Sequence, residues 1–206
     1  YLFLLTGGSF ILASCNDFLD REPLDSVTPD NFFFTENDLA AYAVKHYNFT
    51  THEGFNAGIW KNDNATDNQA ATDYDKKWIP GQWKVPEAYD NPASNDPWYF
   101  STIREANYFL ETVVPRFEKG EIEGSETNIK HYIGEMYFLR AKNYLSKLET
   151  FGDFPIIKNT LPDESESLIQ ASKRAPRYKV AHFILEDLDQ AISLLTNNIS
   201  GGKNRI

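Results

Sequence analysis

Cysteine is almost absent from this chain. Cys15 is the only one in 206 residues, so no disulfide can form within them. The four histidines, His46, His52, His131 and His182, are scattered along the sequence. A zinc site needs clustered thiolates and imidazoles, so none is expected. The sequence also lacks the G-x-S-x-G pattern of a nucleophile elbow, which argues against hydrolysis of that type.

Basic runs and long apolar runs are missing as well. Lys and Arg number 20 against 30 Asp and Glu, giving a formal net charge of −10. Nucleic-acid binding requires clustered cations, so nucleic acid is not an expected partner. The longest apolar-to-neutral stretch, residues 1–14, falls short of the roughly 20 residues that cross a bilayer. A transmembrane helix is therefore not predicted there.

The end of that apolar stretch carries the most informative motif, Leu12-Ala13-Ser14-Cys15. Small residues precede the cysteine, and the composition turns polar and acidic immediately after it, as at the cleavage site of a secretory signal. The pattern is that of a bacterial lipobox. We expect residues 1–14 to be a signal-peptide remnant, Cys15 to be lipidated, and residues 15–34 to form an acidic, extended leader. Several acyl chains on one cysteine would anchor the protein to a membrane durably.

Residues 55–97 predict a long irregular loop. They hold three of the four tryptophans, several prolines and many Asn and Asp residues, without a sustained helix or strand period. Loops of this length are commonly functional, and the aromatic content argues against disorder. Sugar recognition needs flat aromatic faces together with amides or carboxylates. We predict ligand binding by Asp67, Asn68, Tyr74, Trp78 and Trp83. The alternative is that the tryptophans pin the loop to the scaffold and the polar residues make turns.

The same loop is rich in oxygen ligands that could suggest cation binding or catalysis. An EF-hand beginning at Asp63 would place Ala65, Asn68 and Tyr74 where the motif needs oxygen, glycine and glutamate, so it is rejected. An irregular cation site stays open. A glycosidase needs two facing carboxylates, for which Asp67 and Asp73 are only weak candidates. We expect neither a cofactor nor an enzymatic activity.

Helical patterns with clear boundaries occupy most of the remaining sequence. Thr35 and Asp38 have the spacing of a capping box. Asp96-Pro97 predicts the start of a second helix and Pro115 its end. Gly152 follows a third apolar pattern as a C-terminal glycine.

Similar local signals predict the structure of the segments after this glycine. Phe154–Ile157 is predicted to be extended because of Pro155, and residues 162–176 to form a polar loop. The helices at about 98–115, 128–150 and 177–197 favour an all-α solenoid or helix-hairpin scaffold.

Two segments carry a family resemblance: WYFSTIREANYFLETV from Trp98, and IGEMYFLRAKNYLSKLETFGDFPII from Ile133. Together with the lipobox and the acidic leader, they resemble the N-terminal portion of the SusD/RagB family of outer-membrane nutrient-binding lipoproteins. Within these segments we assign Trp98, Glu135 and Arg140 structural roles.

The resemblance implies an incomplete, tetratricopeptide-like helical domain over residues 35–206. It also implies a lipid-anchored protein on the outer membrane, facing the exterior, that binds glycan without cleaving it. A TonB-dependent SusC-like transporter would be its partner. The residues leave open a scaffold or gating role without a glycan site, or the binding of peptides.

Overall fold

The computed structural model describes residues 32–47, 79–82, 84–86 and 97–199. These residues form five helices: α1 (Glu36–Lys45), α2 (Ser101–Glu118), α3 (Glu126–Phe151), α4 (Ser165–Ala171) and α5 (Arg177–Leu194). Over this part of the chain, β pairing is limited to two isolated bridges, Thr35 with Glu123 and Phe154 with Ala175. The all-α prediction is therefore confirmed for the described residues.

Helix α3 is the central element, and α1, α2 and α5 all pack against it. Its buried side chains lie on most of its circumference, which is expected of a helix covered on several sides. Gly134 allows the closest approach of α5. A β-carbon at this position would lie 3.1 Å from Leu194 Cβ and 3.2 Å from the Ala191 carbonyl oxygen.

The start of α1 is as predicted. Thr35 accepts a hydrogen bond from the Asp38 amide, and the Asp38 carboxylate accepts one from the Thr35 amide at 3.0 Å. This closes a capping box with Asp in the place usually held by Glu or Gln. Leu39, Tyr42 and Ala43 are the buried face of the helix.

The predicted boundaries of α2 are wrong at both ends. Pro97 lies in a turn and the helix begins at Ser101, because the intervening segment directs aromatic rings into the core. Phe100 stacks on Phe154 at 5.2 Å between ring centroids. At the other end Pro115 lies inside the helix, since proline removes only its own donor and its carbonyl still accepts from the Lys119 amide. Gly120, at φ 70°, follows the end of helix α2.

Helices α3 and α5 occupy the predicted regions with small shifts at their ends. Gly152 follows α3 with φ 72°, which confirms its predicted place at the C-terminus. Phe154 and Ala175 exchange two backbone hydrogen bonds, in keeping with an extended segment after the helix. The predicted loop 162–176 is wrong in its middle, where α4 forms, and this helix has no buried residue of its own.

One aromatic cluster joins the segment before α2, helices α3 and α5, and the segment after α3. Its rings contact one another at centroid distances of 4.1–6.3 Å, as in aromatic cores generally. The members are Trp98, Phe100, Tyr144, Phe151, Phe154 and Phe183. The prediction that Trp98 packs on the core is confirmed.

Glu135 also has the predicted structural role. Its side chain and that of His131 are fully buried, and His131 Nε2 lies 3.0 Å from Glu135 Oε1. The Tyr47 hydroxyl donates to the same oxygen at 2.7 Å, while the Thr196 amide donates to His131 Nδ1 at 3.1 Å. These contacts connect α3 to the residues that follow α1 and α5.

Candidate functional site

The predicted ligand-binding residues lie outside the described residues. These are Asp67, Asn68, Tyr74, Trp78 and Trp83, and the predicted lipidation site Cys15 is also outside them. The short described segment 84–86 gives one point of attachment, where the Trp98 indole donates to the Pro86 carbonyl at 3.0 Å. The predicted sites therefore remain predictions.

Among the described residues, the best-formed concave site is a cleft of about 350 Å³. Pockets of this size are typical of small-ligand sites. Three segments form it: the start of α2, the extended segment after α3, and α4. The described residues of its lining are largely apolar and include no acidic side chain: Trp98, Phe100, Arg104, Asn107, Pro155, Ile157, Asn159, Leu161, Leu168, Ala171 and Ser172.

Asn107 holds one side of the cleft in place. Its side chain is fully buried, and its amide group donates to the carbonyls of Ile157 at 2.8 Å and Asn159 at 3.3 Å. Its side-chain oxygen accepts from Arg140 at 2.9 Å. Because both ends of the amide are used, Asn107 fixes the extended segment against α2, and its polar atoms are already committed to the scaffold.

Arg140 is the centre of this buried network. Its guanidinium makes two hydrogen bonds to the Asp187 carboxylate, at 2.8 and 2.7 Å, and so connects α3 to α5. Burial raises the pKa of Asp187, and the hydrogen bonds from Arg140 act in the opposite direction. A bidentate pair of this kind has a defined geometry and fixes the register of the two helices. The structural role predicted for Arg140 is confirmed.

Tyr144 holds the backbone of the extended segment at Ile157, which lines the cleft. Its hydroxyl accepts from the Ile157 amide at 2.8 Å and donates to the Ile157 carbonyl at 3.2 Å. Burial raises the pKa of Tyr144 to about 12, so the phenol stays protonated and keeps its donor at neutral pH. The backbone at Ile157 is thereby satisfied although it belongs to no regular element.

The Trp98 ring contacts other side chains of the protein. The ring lies 4.1 Å from that of Phe151, between centroids, and the Arg174 guanidinium lies 4.9 Å from its centre. Trp98 is therefore a wall of the cleft that also makes a cation–π contact with Arg174. Arg104, which is exposed, is the one charged residue of the lining.

Sequence reasoning missed this cleft, because it concentrated on the loop before Trp98. The one available signal was Leu168 and Ala171, whose spacing of three suits one face of a short helix. The facing residues after α3 carry no pattern that points to a cavity. Their placement depends on the hydrogen bonds from Asn107 and Tyr144, which connect positions 50 to 52 and 13 residues apart, respectively.

The described residues also bear on metal binding and on membrane spanning. Over the described ranges, no group of three or more His, Cys, Asp or Glu side chains is arranged to hold a metal ion. None of the helices in the same ranges combines the length and the apolar character that spanning a bilayer requires.

Comparison with known proteins identifies the family. A SusD-like family model, described as "Starch-binding associating with outer membrane", matches residues 17–204. The chain belongs to the SusD-like family. The match includes the predicted loop, the cleft and all five helices, so the resemblance noted in the sequence is confirmed.

Individual SusD-like relatives agree with this assignment. SusD-like proteins P2 and P38 of Formosa agariphila are 25% and 27% identical to the chain, over 87% and 95% of its length. A SusD-like protein crystal structure from Bacteroides fragilis matches 90% of the chain with a TM-score of 0.56 and 25% identity. This supports the expected tetratricopeptide-like helical fold. The chain spans 35% and 37% of the two curated relatives and 34% of the solved one.

Proposed function

We propose that this SusD-like chain is part of a surface-exposed outer-membrane lipoprotein that captures oligosaccharide non-covalently. It delivers the bound sugar to a TonB-dependent SusC-like transporter. The observation that carries the proposal is the family match over residues 17–204, whose description combines starch binding with outer-membrane association. The lipobox at Cys15 supplies a means of attachment, and the aromatic, amide-rich loop supplies candidate sugar contacts.

The binding step needs no chemistry beyond contact. Indole and phenol faces cover the C–H face of a sugar ring, while carboxylates and side-chain amides satisfy its hydroxyls. Trp78, Trp83 and Tyr74 supply the rings, and Asp67 and Asn68 supply the polar groups. The rigid helical core beside the loop supplies a fixed base, because Trp98 joins the aromatic cluster to Pro86. The bound glycan leaves the site intact.

A glycan array followed by calorimetry tests the proposal. The full-length protein should bind at least one oligosaccharide, and Trp78→Ala and Trp83→Ala should each weaken that binding by about tenfold, since one stacked ring contributes about 1–3 kcal/mol. The melting temperature should stay close to that of the parent protein. Recovery of cleaved oligosaccharide after long incubation, or binding unchanged in both variants, contradicts the proposal.

A second candidate is a scaffold or gating subunit that makes only protein contacts. The observation that favours it is an apolar line on the outer face of α5, where Tyr178, Leu185 and Ile192 are 59%, 56% and 73% exposed. They are spaced seven residues apart, as in a helix-pairing seam. Absence of binding to every glycan on the array, with retained binding to a transporter, would favour this candidate.

A further inference from the structure

The cleft has the opposite electrostatic character to the chain. The net charge is −10, yet the described residues that line the cleft include Arg104 and no Asp or Glu. The segment that contains the α4 part of the lining is also basic. Residues 167–185 contain four basic residues, Lys173, Arg174, Arg177 and Lys179, and no acidic residue. All four are exposed.

We call three cations at or next to the cleft the basic rim: Arg104, Lys173 and Arg174. Arg104 belongs to the lining, Arg174 lies over the Trp98 ring that lines the cleft, and Lys173 follows the lining residue Ser172. Among the described residues, no carboxylate lies within 4.0 Å of the charged groups of these three side chains. Arg177 is set apart, since it is paired with Asp153.

Two acidic residues near the basic rim interact with other groups. Glu105, next to Arg104, pairs with Lys45 and His46. Glu166 on α4 accepts from Gln170 at 3.0 Å, and it does not line the cleft. Over the described part of the chain, the positive charge of the rim is therefore not neutralised by a neighbouring carboxylate. A cleft with low-dielectric walls and charge of one sign concentrates ligands of the opposite charge.

We propose that this cleft and its basic rim bind an anionic sugar residue, a uronate or a sulfate ester, within the glycan captured under the proposed function. The apolar walls accept the C–H face of the ring. The guanidinium of Arg104 matches the planar or tetrahedral oxygen arrangement of a carboxylate or sulfate, with Arg174 and Lys173 adding longer-range attraction. The inference depends on the proposed function and specifies the class of glycan.

Matched pairs of ligands test the proposal on the full-length protein. Calorimetry would compare an oligogalacturonate with its fully methyl-esterified form, and a sulfated galactan oligosaccharide with its desulfated form. At least one acidic member should bind about tenfold more tightly than its neutral partner in about 50 mM salt, and the difference should shrink in about 500 mM salt because the charges are then screened. The pair that shows the effect identifies the anion.

Substitutions assign the effect to the rim. Arg104→Gln and Arg174→Gln should each reduce the acidic preference several-fold, and Arg104→Lys should retain part of it because the charge remains without the planar fork. Lys119→Gln is the matched control, since it removes one positive charge beyond the other end of α2, about 22 Å along the helix. Both arginines are exposed, so the variants should fold normally.

The possible outcomes separate the two proposals. Equal binding of acidic and neutral partners, or a loss in Lys119→Gln as large as in Arg104→Gln, overturns the anionic inference and leaves glycan capture intact. Failure of every member of both pairs and of the glycan array overturns both proposals. Tighter binding of the neutral members also overturns the inference.

Discussion

Single side chains in this protein differ sharply in how much they contribute to the stability of the fold, and Arg140 is the clearest case. It connects Asp187 on α5 with Asn107 on α2 through hydrogen bonds of 2.7–2.9 Å, inside a region where all three residues are buried. Removal of one member of such a network leaves the others without partners. The cost of an unpaired buried charge exceeds the net contribution of the intact pair.

Arg140→Gln should lower the free energy of unfolding at pH 7 by about 3–5 kcal/mol. Burial holds the pKa of Asp187 above its unfolded value, and loss of Arg140 raises it further. A group with a raised pKa in the folded state contributes most stability below the unfolded pKa and loses that contribution as pH rises through the folded pKa. The deficit of the variant should therefore become smaller toward pH 4.

Urea unfolding at pH 7 and at about pH 4 measures this difference. Lys119→Gln is the control, because it removes the same charge from an exposed site and should change stability by less than about 0.5 kcal/mol at either pH. A deficit for Arg140→Gln that grows on acidification would show that Asp187 is not the group left unpaired.

Individual helices depend on local signals and on neighbours to different degrees. Helix α1 begins at a capping box that is evident in the sequence and present in the structure. Helix α2 has no side-chain cap at Phe100, and it starts where aromatic packing allows it to start. The first kind of boundary is decided by atoms three residues apart, and the second by rings about fifty residues apart.

Thr35→Ala should destabilise the chain by about 1 kcal/mol, since it removes the acceptor for the Asp38 amide at the start of α1. Thr35→Ser keeps the hydroxyl and should restore most of the loss. The melting temperatures of the three proteins, with amide exchange in the first turn, test this. Equal melting temperatures for the alanine and serine variants would mean that the cap contributes nothing.

Helix α5 offers a matched pair of adjacent residues, one buried and one exposed. Ile184 is 7% exposed and Leu185 is 56% exposed. Ile184→Ala should cost about 2–5 kcal/mol, because it leaves a cavity against α3. Leu185→Ala should change the stability of this chain by less than about 0.5 kcal/mol. Denaturant titrations of the two variants compare them directly. A cost for Leu185→Ala near that of Ile184→Ala would show that the outer face is covered.

The molecule as a whole combines a predicted anchor, a helical core and a predicted binding loop, on a chain that spans about a third of its relatives' length. If Cys15 is lipidated, its acyl chains hold the core at the membrane surface while the loop meets soluble glycan. The order along the chain, with the anchor first and the loop before the main helices, suits capture outside the cell.

Cys15→Ala in the full-length protein should abolish incorporation of radiolabelled palmitate and release the protein from the membrane fraction. Ser14→Ala is the control, because it keeps the thiol and a small residue before it, and should still be labelled. Fractionation and fluorography measure both effects. Labelling that persists in Cys15→Ala would rule out this cysteine as the attachment site.

Composition and short-range patterns were sufficient for the all-α class, for the cap at Thr35, for the glycine after α3, and for the resemblance that the family match confirmed. Each of these depends on residues close together in the chain, where hydrogen-bond geometry and helical period act directly. The start of α2, the passage of the helix through Pro115 and the presence of α4 depended on three-dimensional packing. The cleft and its basic rim did so too, because Arg104, Ile157 and Arg174 come together only when Asn107, Arg140 and Tyr144 bind segments 13 to 52 residues away in the chain.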